Sequence, residues 1–257
     1  MGVDVWPVHT VTVSNNSSYE TMRGPFIAAD DVRAVIAGID ERGVLPQCDA
    51  VLTGYQGAQE VGQVVLDTVE LVKSRNPQAI YCCDPVMGDV GRGFYARPGI
   101  PEFFKESVVP KADVVAPNLF ELEFLTDRSV GTVAEAIEAA HQLRARGPRT
   151  VLVTSVVFPE TEPDVMRMVA VDGEQAWEVV TPMLGRAFTG TGDVTTAMFL
   201  AHLLGGAALN EALERTASSI YGVLKATMDA GSREPLLVPA QDQIVAPSQQ
   251  FSASRVS

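Results

Sequence analysis

Cysteine is scarce: 257 residues hold three, Cys48, Cys82 and Cys83. Two of them are neighbours in the apolar run "AIYCCD". Adjacent side chains of a strand point to opposite faces, so this pair is a poor disulfide and a poor joint metal site. Such usage argues against a disulfide-stapled secreted domain and fits a reducing compartment. No run of 18 apolar residues occurs, so no membrane span is expected. The opening "MGVDVWPVHTVTV" lacks the basic stretch of a signal peptide, and the expected location is the cytoplasm. Positive charge is also in short supply, with 19 Lys and Arg against 32 Asp and Glu, a formal net charge of −13. A broad nucleic-acid face is thereby excluded, but a small phosphate ligand held by backbone N–H groups is not. The three histidines, His9, His141 and His202, are scattered and assigned to neither a metal nor a triad. There is no G-x-S-x-G elbow and no G-x-x-x-x-G-K-[ST] phosphate loop.

What is present is a succession of short apolar runs alternating with amphipathic ones. Strands are predicted at residues 3–13, in "DAVLTG", "QAIYCCD", "DVVAPN" and "TVLVTS", and in "PLLVPA" near the end. Helices are predicted at 28–42, 58–73, 132–146, 193–204 and 210–230. "VMRMVAVDG" and "QAWEVV" read as a hairpin. The alternation implies an α/β domain, its mostly parallel central sheet covered by helices on both faces. No linker or repeat divides the chain, so residues 1–257 form one domain, with a polar and partly loose tail after about 246.

In such sheets ligands bind beyond the carboxyl ends of the strands. Asp84 follows "YCC", Asn118 and Glu121 follow "VVAP", and Thr154 and Ser155 follow "VLV". Asp84 and Glu121 read either as turn formers or as oxygen ligands for Mg²⁺. The stretch "FTGTGDVTTAMFLAHLL" has two readings as well. Asp193 is an N-cap, or Gly190, Thr191 and Gly192 cradle an anion at a helix N-terminus while Asp193 takes a proton from an attacking hydroxyl. The glycine-rich stretch from Gly88 to Tyr95 suits a surface loop or a lid that excludes water.

Taken in order, "VWPVHTVTVSNNSSY", "LTGYQG", "CDPVMGDVGRGFY", "VVAPNLFELEFLT", "VLVTS" and "GTGDVTTAMFLAHLL" resemble the motifs of pyridoxal kinases in the ribokinase-like superfamily, nearest to the bacterial PdxY type. The resemblance runs from Gly2 to about Ala253. It implies a three-layer ribokinase-like sandwich, transfer of the γ-phosphoryl group of ATP to the 5′-hydroxyl of pyridoxal with Mg²⁺, and a homodimer. By motif match, Asp193 is the catalytic base, touching the acceptor, and Gly190, Thr191 and Gly192 form the anion hole. Asp84, Ala116, Glu121, Thr154, Thr181, Pro182, Met183 and Leu184 match ATP-site positions, with Asp84 and Glu121 also toward the metal. Ser17, Ser18 and Tyr55 match the pyridoxal side. The family pattern begins with a strand, a loop S-x-x-A-Y-G-x-x-G-N and a helix before "VWP"; that strand and helix are missing here, and with them a serine expected against the pyridine ring. Two alternatives accompany this reading: a hydroxymethylpyrimidine kinase on the same fold, and a catalytically silent nucleotide- or pyridoxal-binding protein.

Overall fold

The computed structural model describes residues 1–16, 18–158, 160–173 and 175–256. Its centre is a seven-stranded sheet built in chain order from β1 (Ala50–Thr53), β2 (Ile80–Cys83), β5 (Val114–Val115), β6 (Thr150–Phe158), β7 (Glu162–Asp172), β8 (Gln175–Pro182) and β9 (Ser254–Val256). A two-stranded hairpin, β3 (Gly88–Asp89) with β4 (Gly93–Phe94), stands apart from it. Pairing is parallel from β1 to β6 and antiparallel from β6 to β9. Five of the seven strands therefore share one direction, and β7 and β9 oppose them.

Period-two alternation sorts the strand side chains into two cores. Tyr81, Cys83, Val115, Val151 and Val153 face one side, against α2 (Gln59–Arg75), α3 (Ile100–Phe103), α4 (Leu119–Thr126) and α5 (Val133–Arg144). Cys82, Val114, Ala116 and Leu152 face the other, against α6 (Thr191–Leu204) and α7 (Leu209–Asp229). Cys82 and Cys83 thus lie on opposite faces, both buried, and burial raises both thiol pKa values. α1 (Ala29–Glu41) packs on α2 through Val32, Val61 and Val64. Among the described residues no helix is long and apolar enough to cross a membrane.

Three expectations are corrected. Residues 3–13 form no strand; one bridge joins Val11 to Phe26. Alternation fixes a strand only where one face is buried and a ladder partner lies alongside, whereas Val3 and Val5 are exposed and β1 is paired only to β2. "PLLVPA" is a turn leading into α8 (Gln241–Val245), with local bonds from Leu237 N–H to Pro235 and from Ala240 N–H to Leu236. Its two prolines lack the N–H a ladder requires. The tail is fastened rather than loose. Phe251 meets Tyr221 edge to face, its N–H donates to Ser218, and β9 pairs with β8.

Candidate active site

The strand ends and the start of α6 converge. Gly190, in the left-handed region at φ 84°, is the N-cap of α6 and supplies no side-chain cap. Asp193 is the third residue of the helix, not its cap. The first N–H groups of a 14-residue helix therefore open toward the strand ends, a standing attraction for an anion.

Beneath them lies Asp84, buried at the end of β2. A side chain added at Gly192 would place its Cβ 3.6 Å from Asp84 Oδ2, so the anion loop passes directly over this carboxylate. Thr196, one turn into α6, donates its hydroxyl to Asp84 Oδ2 at 3.1 Å. Burial, followed by the neighbouring Glu121 and Asp193 charges, holds the Asp84 carboxyl well above the usual range, against the opposing Thr196 bond. Asp193 stands at the mouth with a solvent-facing edge. The protein around it still desolvates the carboxyl enough to raise its pKa.

Glu121 is held differently. Asn118 and Glu121 form a capping box at the start of α4. One Glu121 oxygen accepts from Met87 N–H at 2.9 Å and Gly88 N–H at 3.5 Å, and the other accepts from Asn118 N–H at 2.9 Å. Burial pushes its pKa up to about 7 despite those donors. Glu121 thus fastens the β3–β4 hairpin to α4, helped by Asn118 Nδ2 donating to Gly88 O at 2.8 Å. Phe94 completes the attachment, meeting Phe120 and Phe124 edge to face with ring centroids 5.0 Å apart.

The other expected positions spread outward. Thr154 is buried at the irregular middle of β6, its N–H donating to Pro117 O and its backbone bridging to Asn118. Ala116 packs its methyl into the α6–α7 core, leaving only its backbone for a ligand. Thr181 and Pro182 end β8, with Met183 and Leu184 following. Tyr55 O accepts from the Thr10 hydroxyl at 2.6 Å, fastening the N-terminal segment beside Gly54. Ser18 lies on an exposed loop, tied to Asn16 and to Arg233. Ser17 lies outside the described residues.

Sequence reasoning passed over Gly54 and Thr196. Thr196 is three residues after Asp193 and so on the same helix face, a spacing that marks it. Gly54 shows its role only through a close approach to Asp193.

Among the described residues no three His, Cys, Asp or Glu side chains cluster closely enough to bind a metal by themselves. Asp84 nevertheless fits a hard divalent cation, being a buried carboxylate with two like-charged neighbours and one hydroxyl donor. Glu121, with both oxygens engaged by N–H groups, fits an anchoring or water-mediated place.

A mixed sheet, parallel from β1 to β6 and flanked by helices, with an uncapped helix N-terminus and a carboxylate beside it, matches a ribokinase-like phosphotransferase fold. The chain belongs to the phosphomethylpyrimidine kinase family, whose model matches residues 9–236. It is 51% identical over 258 residues to pyridoxal kinase PdxY of Rubrobacter xylanophilus, covering 100% of this chain and 89% of the relative. It is 46% identical to pyridoxal kinase PdxY of Leifsonia xyli subsp. xyli, covering 100% of this chain and 90% of that protein. The solved pyridoxal kinase of Leishmania donovani in complex with ADP and pyridoxamine superposes with a TM-score of 0.92 at 27% identity, over 100% of this chain and 90% of that one.

Proposed function

We infer that the protein is a pyridoxal kinase, transferring the γ-phosphoryl group of ATP to the 5′-hydroxyl of pyridoxal. The observation that carries this is the placement of Asp193, on the first turn of an uncapped helix and beside the buried carboxylate of Asp84. Asp193 accepts the hydroxyl proton as the alcohol oxygen attacks the γ-phosphorus; the bond to the β-phosphate oxygen breaks and ADP leaves. The N–H groups of Thr191, Gly192 and Asp193 face the transferring group and stabilise its charge. The raised Asp193 pKa brings the base closer to neutral pH, where proton acceptance is most effective. Mg²⁺, when bound with ATP, supplies charge neutralisation at the phosphates. Asp84 would hold it, while Glu121 fixes the β3–β4 hairpin to α4. Pyridoxal is assigned to the side of Ser18 and Tyr55, and ATP to the side of Thr154 and Thr181.

A cytoplasmic location accords with three unpaired cysteines. A homodimer accords with the family and with the exposed Val3, Val5, Trp6 and Leu52 side chains; light scattering tests it.

The deciding experiment supplies Mg·ATP with pyridoxal, or with hydroxymethylpyrimidine, and follows ADP and phosphorylated product. Pyridoxal turnover should dominate, and Asp193→Asn should lose about 10²–10⁴-fold while still binding ATP. Full activity in that variant would remove Asp193 from the role of base. Faster turnover of the pyrimidine would overturn the substrate assignment.

A further inference from the structure

We propose that Arg233 is a positioning residue for the acceptor side of the site, holding the loop around Ser18 and Tyr19 on a fixed post formed by residues 232–234. The inference rests on the reading that this loop faces pyridoxal.

Among the described residues of 1–31, none is buried. Val8, Ile27 and Ala29 pack against the Val32, Val61 and Val64 cluster at the base of the segment, while the tip around Ser18 and Tyr19 is held by discrete contacts. Three backbone bonds join the segment's two arms, with Ile27 N–H donating to Thr10 O, Thr12 N–H to Pro25 O and Ser14 N–H to Arg23 O. At its tip the long-range contacts go to two residues after α7. Arg233 Nη2 donates to Ser18 O at 2.6 Å, and its guanidinium lies 3.8 Å from the Tyr19 ring centroid. Asn16 Nδ2 donates to Glu234 Oε1 at 3.4 Å. A cavity of about 520 Å³ lies between the loop and this post, lined in part by Ser14, Asn15, Tyr19 and Arg233. The loop therefore spans open space instead of resting on packed side chains.

The post is rigid. Ser232 N–H donates to Thr227 O, and Leu236 N–H donates to the hydroxyl of Thr227, which is fully buried in α7. It also touches the phosphoryl side. Arg186 donates to Ser232 O and covers the Phe188 ring at 4.5 Å, while Phe188 O accepts from the Thr191 hydroxyl at 3.2 Å. One short segment thus meets both the acceptor loop and the turn before the anion site. Arg233 suits this place because its planar guanidinium stacks on a ring while donating sideways to a carbonyl, a combination an ammonium reproduces only in part.

The test compares the full chain with Arg233→Ala and Arg233→Lys. In the alanine variant KM for pyridoxal should rise about tenfold, the scale of one charge-assisted hydrogen bond. KM for Mg·ATP and kcat should stay within about twofold, and lysine should restore part of the loss. Trypsin cleavage after Arg23, within the same loop, should accelerate about tenfold in Arg233→Ala and less in Arg233→Lys, with unchanged thermal melting. Unchanged cleavage at Arg23 would overturn the tie. Faster cleavage with unaltered KM for pyridoxal, or an equal rise in both KM values, would overturn the positioning role. Cleavage needs no turnover, so an inactive parent chain would count against the kinase reading while the cleavage ratio still decides the tie.

Discussion

The carboxylate of Asp193 rests against Gly54 at the end of β1: a Cβ added to Gly54 would stand 3.0 Å from Asp193 Oδ1. That distance is tighter than ordinary contact, so glycine here leaves room for the carboxylate. Gly54→Ala should push Asp193 aside by a few tenths of an ångström. Misplacement of a reacting group by about 1 Å costs roughly 10²-fold. A smaller shift should lower kcat by about tenfold and leave the melting temperature nearly unchanged. Steady-state kinetics beside a thermal melt check this, and unaltered kcat would show that the carboxylate acts elsewhere.

Thr196→Val keeps the shape of a buried side chain and deletes the hydroxyl that donates to Asp84. This bond lowers the Asp84 pKa against the burial that raises it. Without it the carboxyl should hold its proton more tightly and compete less well for a cation. Hydrogen bonds to charged groups contribute about 1.5–3 kcal/mol, so KM for Mg·ATP should rise about tenfold or more, with the rise easing at higher pH. Titrating Mg²⁺ at fixed ATP, at two pH values, decides the matter; an equal loss of pyridoxal affinity would point to general disruption of α6.

These two residues show how far the sequence carries. "YCC" and "VVA" declared their strands and both their faces, because alternation in a buried parallel sheet is a local property. Asp84 and Glu121 were legible as polar groups at strand ends. What Glu121 does there was not, because its acceptors' partners, Met87 and Gly88, lie more than 30 residues away. Gly54 and Arg233 were invisible for the same reason, each defined by a contact with a distant segment. Residues 3–13 misled because their alternation is real but neither face is buried, and burial is decided by what packs alongside.

The β3–β4 hairpin is expected to act as a lid whose closed position depends on Phe94. Its ring lies half in solvent and half against Phe120 and Phe124. Such pairs contribute about 0.5–1.5 kcal/mol each beyond area, so Phe94→Ala should cost little in global stability but loosen the hairpin. The expected signature is ADP release without acceptor rising several-fold relative to pyridoxal phosphorylation, as water gains entry. An unchanged ratio, measured by coupled ADP release with and without pyridoxal, would assign the hairpin a purely structural place.

Glu121 gives the protein a stability that should fall as pH rises. Its folded pKa of about 7 lies above the ordinary 4.5. Between those values the folded chain binds more protons than the unfolded chain, so unfolding free energy decreases with increasing pH. The decrease begins near the unfolded value and is complete once pH passes the folded one. The gap corresponds to on the order of 3 kcal/mol at most. Glu121→Gln cannot titrate, and its side-chain oxygen can still accept from Met87 N–H. It gives up the bond from Asn118 N–H, a roughly constant loss across pH. Denaturant unfolding of both proteins from pH 4.5 to 8 should therefore show the difference drifting in favour of the glutamine variant as pH rises, steepest between the two pKa values and levelling off above the folded one. A difference that stays flat would mean that the folded protein holds Glu121 as a carboxylate throughout, stabilised by its three backbone donors, and that burial is not the dominant influence on this group.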